Sequence, residues 1–154
     1  MEYAYGERDV LMHISSLLCI ARADGVIRDE EKKYVIQVAA SYAGLCAGKT
    51  FDEIVENSSP VAIAEVEAWQ LELARHPKAA RNLLKDLIGL GLADNEFCEQ
   101  ERQAVADIAD KLNVPNGVVD ELEAGLEMLL QATQRIQSLV EYGTPCPQPQ
   151  GEDT

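Results

Sequence analysis

The chain is poor in the residues on which most enzyme and metal chemistry depends. Its four cysteines, Cys19, Cys46, Cys98 and Cys146, are widely scattered, and no two of them form a C-x-x-C pair. That spacing argues against a zinc knuckle or a redox dithiol. Cys19 sits in an apolar helical stretch and reads as a small hydrophobe. Only two histidines are present, His13 and His76, far apart and without neighbouring ligand residues. Transition-metal chemistry is therefore unsupported, and both read as structural or surface residues. A catalytic site needs a nucleophile, a base and an orienting group. The nearest combination, Ser15 and Ser16 beside His13, lies in an apolar helix, so no enzyme is expected. No apolar run approaches the roughly 20 residues of a membrane span. Met1 to Val10 is polar and acidic where a signal peptide would be basic and then apolar. The expected location is the cytoplasm.

Positive charge is scarce as well. Thirteen Lys and Arg face 27 Asp and Glu, for a formal charge of -14. Nucleic-acid affinity comes largely from Lys and Arg displacing counterions, so a nucleic-acid partner is excluded. Anionic membrane surfaces are disfavoured for the same reason. Such a surface suits cations, basic protein patches, or solubility alone.

What the sequence does contain, it contains twice. Ala23-Asp24-Gly25-Val26-Ile27-Arg28-Asp29-Glu30-Glu31-Lys32 returns 70 positions later as Ala93-Asp94-Asn95-Glu96-Phe97-Cys98-Glu99-Gln100-Glu101-Arg102. The match extends to Val35/Val105, Ala39/Ala109 and Leu17/Leu87. Each copy reads as an apolar helix, an Ala-Asp turn, a large apolar residue and the acidic start of a second helix. Duplication of this kind builds a fold from two equivalent units.

Helical periodicity dominates elsewhere and strand signals are nearly absent. With 154 residues, 47% of them hydrophobic, the chain can bury one ordinary core. The expected architecture is all-α: a single-domain bundle of six to seven helices with two pseudo-repeated hairpins, over residues 1–143. A first helix over about 8–23 ends at Asp24-Gly25, where glycine takes up a left-handed turn easily. A second starts near Asp29 and fades at Gly44. Thr50-Phe51-Asp52-Glu53 has capping-box spacing. Ser59-Pro60 reads as a further helix start, running to about His76, and Pro77 opens the next. Asp94-Asn95 ends that helix, and another spans about Glu99 to Leu112. In the last helix Val119, Leu122, Leu126, Leu129, Thr133, Ile136 and Val140 are spaced alternately by three and four. That is a coiled-coil-like stripe, either a dimer seam or the side of a helix lying across the bundle. From Asn116 to Tyr142 this helix would be about 40 Å long. The Pro-rich segment 144–154 is expected to be disordered.

The duplicated turns hold the candidate site. Asp24 and Glu31 lie seven apart, one ending a helix and one opening the next, and Asp94 and Glu101 repeat the spacing. Asp24, Gly25, Ile27 and Glu31 match the second half of an EF-hand loop. The first half would fall on Ile20 and Arg22, or on Leu90 and Leu92, so a true EF-hand is excluded. Each residue also has a purely structural reading. Glu31 and Glu101 stand where a glutamate caps a helix start. Asp24 and Asp94 suit Asx turns, and Ile27 and Phe97 would be apolar plugs locking each hairpin. If the equivalent turns meet, four carboxylates close together call for a cation. Oxygen ligands of this kind select Ca²⁺, Mg²⁺ or Mn²⁺.

Two Ala-Asp-Gly-x-Ile-x-x-x-Glu-like turns some seventy residues apart, in an acidic all-helical chain, resemble the TerB-like tellurite-resistance domain over residues 8–140. A similar domain opens a membrane-anchored DnaJ-type co-chaperone. The first copy matches well; in the second, Asn95 replaces the glycine, Phe97 the isoleucine, and Cys98 a small capping residue. The resemblance implies a seven-helix, non-enzymatic bundle linked to tellurite and related chemical stress. It also implies an acidic face binding a divalent cation through Asp24, Glu31, Asp94 and Glu101. Two partners are expected: a protein bearing a basic patch, and a second copy of the chain joined through the last helix. The rival reading is a pure interaction scaffold whose acidic turns only cap helices.

Overall fold

The computed structural model describes residues 3–23, 25–42, 50–58, 61–93 and 97–142. Asp24, Asp94, Asn95, Gly44, Ser59, Pro60, Cys46, Cys146 and the segment 144–154 lie outside the described residues, and so do the expectations placed on them. The described part is all-α. Its helices are α1 (Glu7–Ala21), α2 (Asp29–Ala40), α3 (Phe51–Ser58), α4 (Ile63–Leu73), α5 (Pro77–Gly91), α6 (Glu99–Lys111) and α7 (Asn116–Tyr142). No helix is long and apolar enough among the described residues to cross a membrane.

The duplication governs packing as well as sequence. α1 lies against α5 at the centre, and α2 and α6 each lie against both of them. α2 and α6 do not approach each other among the described residues. α3 packs on α1 and α2, and α7 packs on α5 and α6. Exchanging α1, α2 and α3 for α5, α6 and α7 leaves these neighbours unchanged, as a pseudo-twofold relation requires, apart from α4, which packs on α1, α5 and α6 but not on α2 among the described residues. The repeat therefore includes a third helix, with α4 as the connector. Matched positions share burial too: Leu17 and Leu87, Val35 and Val105, Ala39 and Ala109 all lie in the core.

α5 and α1 are the two most enclosed helices, α5 burying Leu83, Leu84, Leu87, Ile88 and Leu90 against its neighbours. Side chains on its apolar face recur every three or four residues, which turns them to one side of the helix. Close approach is bought with glycine at two places on it: a Cβ on Gly89 would collide with the Tyr34 hydroxyl, and one on Gly91 would stand 2.6 Å from the Phe97 ring.

α4 starts at Ile63, because Glu65 reaches back to accept the Ala62 N–H at 3.2 Å and caps the helix there. One expectation is corrected. Cys19 is exposed, since its neighbours Leu18 and Ile20 take the inward positions of α1.

The stripe on α7 divides in two. Val119, Leu122 and Leu126 pack against the core, whereas every residue from Gln131 to Glu141 is exposed. The helix thus lies across the bundle for its first half and presents a free face along its second.

Candidate functional site

Each duplicated turn leads a helix out of the core and starts the next with a buried glutamate. In the first copy α1 ends at Ala21, the chain turns through Arg22 and Ala23, and Gly25 adopts φ 83°. A left-handed backbone there favours glycine. Ile27 then tucks partly against the core, and α2 begins after Arg28, whose extended backbone makes it the N-cap. Glu31, three residues on, accepts the Arg28 N–H through Oε1 at 2.9 Å. In the second copy Phe97 packs over Gly91, Cys98 is the N-cap of α6, and Glu101 Oε1 accepts the Cys98 N–H at 3.2 Å. The capping role expected of both glutamates is present.

Both glutamates are fully buried, at 0% exposure. A surface cap needs no such burial. One carboxylate oxygen of Glu101 is used in the cap; the other, Oε2, is buried without a hydrogen-bond partner among the described residues. Buried polar atoms nearly always have a partner, and leaving one without costs on the order of 1–3 kcal/mol, more for a charged group. A hard carboxylate oxygen held in this way suits a proton donor or a cation.

The aspartates that would complete each pair, Asp24 and Asp94, lie outside the described residues. Among the described residues, no group of three or more His, Cys, Asp or Glu side chains gathers as a metal site. The fit to a divalent cation therefore rests on the burial of the two glutamates and on the Glu101 oxygen.

Around the second turn Arg102 ties the parts together. Its guanidinium lies 4.4 Å from the Phe97 ring centre and forms a paired bond to Glu123 of α7, at 2.9 and 2.7 Å. Two parallel N–H···O bonds of this kind fix geometry as well as charge.

The Ser and His residues of α1 are committed elsewhere. His13 is buried with Nε2 2.9 Å from Asp86 Oδ2 and Nδ1 3.0 Å from the Tyr5 hydroxyl. Ser16 donates to the Met12 carbonyl and accepts from the Gln70 amide. Neither ring nitrogen of His13 is left to activate a serine. The Asp86 partner is not legible by spacing, as it stands 73 residues away; the signal is a lone carboxylate inside the apolar run Leu83 to Leu90. A second, partly buried cluster centres on Asp9, which accepts from Tyr3 at 2.6 Å, from Trp69 Nε1 at 2.8 Å and from the Gly6 N–H at 2.8 Å. These donors hold the Asp9 carboxyl below its usual range, although burial opposes them as the largest single influence.

Comparison with known proteins agrees with the helical fold. A family model described as tellurite resistance protein TerB matches residues 10–124. A crystal structure of a tellurite resistance protein from Nostoc punctiforme is similar, at 25% identity and a TM-score of 0.50, covering 92% of this chain and 84% of that one. Neither match is a DnaJ-type co-chaperone. No curated protein matches the chain. Since the family model spans well over half of the sequence, the chain belongs to the TerB family.

Proposed function

We propose that this chain is a non-enzymatic, cytoplasmic module that takes up a divalent cation, a protein partner, or both, at its acidic helix-entry turns. The observation that carries the cation is Glu101: fully buried, one oxygen in a helix cap, the other without a hydrogen-bond partner among the described residues. Asp24, Glu31, Asp94 and Glu101 would supply oxygen ligands, and Ca²⁺, Mg²⁺ or Mn²⁺ is the class of ion they suit. A bound ion would satisfy the buried charge and tie each turn to the helix that follows. The family links such a module to tellurite and chemical stress.

The test is thermal. A ligand bound only by the folded state stabilises it, so millimolar Ca²⁺, Mg²⁺ or Mn²⁺ should raise Tm, and Asp24→Asn with Asp94→Asn should abolish the rise. Unmutated protein that melts at one temperature with and without each ion would refute the cation reading.

The scaffold reading has its own support, because Glu31 and Glu101 both do cap helices. On that reading the exposed acidic residues Asp29, Glu30 and Glu99 around the turns attract a basic protein patch. Such attraction weakens with salt, so partner capture should fall between low and high ionic strength and fall again in Glu30→Gln with Glu99→Gln. The exposed half of α7, with Leu129, Ile136 and Val140 at 61%, 62% and 76% exposure, is where a second copy would dock.

A further inference from the structure

In a chain so acidic, one groove is lined by cations and has no carboxylate in its lining among the described residues. It encloses about 660 Å³ between the N-terminal segment, the end of α2, the start of α5 and Leu122 of α7. Ligand pockets run to roughly 300–1,000 Å³. Four of the thirteen Lys and Arg line it, namely Arg75, Lys78, Arg81 and Lys85. Lys78, Arg81 and Lys85 follow one another at three- and four-residue steps, which places them along one face of α5. That row extends about 10 Å at 1.5 Å per residue, too long for one phosphate or carboxylate and suited to two or three linked phosphates.

The groove is also lined by Tyr3, Tyr5 and Tyr42. Tyr5 and Tyr42 are stacked at 5.6 Å between ring centres. Carboxylates beneath the groove are already engaged. Asp9 accepts from Tyr3 and Trp69, and Asp86 pairs with His13, leaving only a 3.8 Å approach to Lys85. Arg75 and Arg81 have no ion pair among the described residues. Arg75 and Arg81, two like charges on one groove, favour an anion between them, and guanidinium forks are well matched to phosphate oxygens.

We infer that this groove binds a small organic polyanion: a phosphoester of two or three phosphates carrying a flat ring that lies against the tyrosines. The rest of the surface, strongly negative, repels a long phosphate chain, whereas a small ligand enters the groove alone. The site is separate from the acidic turns and does not depend on their metal.

The test is calorimetric titration of the full chain at low salt with EDTA present, using ATP, pyrophosphate and a short poly-glutamate peptide as probes. ATP should bind, and at least tenfold more tightly than pyrophosphate. Arg75→Ala with Arg81→Ala should weaken ATP at least tenfold while the helical spectrum is unchanged; Lys85→Gln, a smaller change, should weaken it severalfold. Absence of ATP binding would overturn the inference, as would an affinity unaffected by these substitutions. Equal affinity for ATP and pyrophosphate would remove the ring from it. Preference for the peptide would reassign the groove to an acidic protein segment and overturn the small-ligand assignment.

Discussion

Gly91 and Phe97 of the second copy stand where the first copy has Ala21 and Ile27, and this exchange can be tested as a unit. A methyl group on Gly91 would meet the Phe97 ring at 2.6 and 2.7 Å, inside the distance that real Cβ atoms keep. Overpacking of this kind costs roughly 1–3 kcal/mol, while alanine in place of a helical glycine returns up to about 1 kcal/mol. Gly91→Ala should therefore lose roughly 1–2 kcal/mol. Phe97→Ile alone leaves a void over Gly91 and removes the Arg102 contact at 4.4 Å, for a loss of roughly 1–2 kcal/mol. Together the substitutions rebuild the Ala/Ile pair of the first copy. The double variant should come within about 1 kcal/mol of the unmodified protein, a favourable coupling of at least about 1 kcal/mol. Urea unfolding of the four proteins measures this directly. Losses that simply add would show that the two turns are not built on a common plan, and the duplication would cease to explain the packing.

Three further outcomes are expected. Ile27 is only partly buried, so Ile27→Ala should cost about 1–3 kcal/mol by chemical unfolding, at or below the low end for a core isoleucine; a neutral effect would deny it the role of plug. Burial, more than the nearby Tyr42 and Asp9, pushes the Tyr5 phenol above its ordinary value of 10.0. Burial likewise raises that of Tyr34. The unfolded chain then releases these protons first, so their contribution is complete below about pH 10 and is lost as pH rises beyond it. Stability measured across alkaline pH should fall less steeply in Tyr5→Phe, and identical slopes would contradict this. Light scattering of the pure protein should show concentration-dependent dimers that Ile136→Asp dissociates; Ile136 is exposed on the outer half of α7, so a monomer at every concentration would remove the homodimer.

Much of the architecture was legible because it is local. Apolar residues at three- and four-residue spacing define α1, α2, α5 and α7, and the 70-residue offset pairs Leu17 with Leu87 and Glu31 with Glu101 before any coordinates exist. Helix capping by the two glutamates follows from their position three residues into a helix. Burial of those same glutamates was not legible, since sequence places them on charged-looking helix starts and only tertiary packing encloses them. The His13–Asp86 pair joins helices 73 residues apart, and no local spacing encodes it. Cys19 fell on the wrong side because an apolar stretch does not by itself say which face turns inward. The cationic groove has a local trace: from Ala74 to Lys85 the chain carries four basic residues and no acidic one. Net charge averaged over the chain conceals such a segment.

If the buried glutamates serve a cation as well as a cap, Glu101→Gln separates the two roles. Glutamine keeps an oxygen to accept the Cys98 N–H and removes the charge, so the helix start survives while the ligand is lost. Calorimetric titration of the unmodified protein with Ca²⁺, Mg²⁺ and Mn²⁺ should give saturable binding of at least one ion, weakened at least tenfold in Glu101→Gln with the fold unchanged. Binding that is absent from the unmodified protein, or undiminished in the variant, would contradict the account.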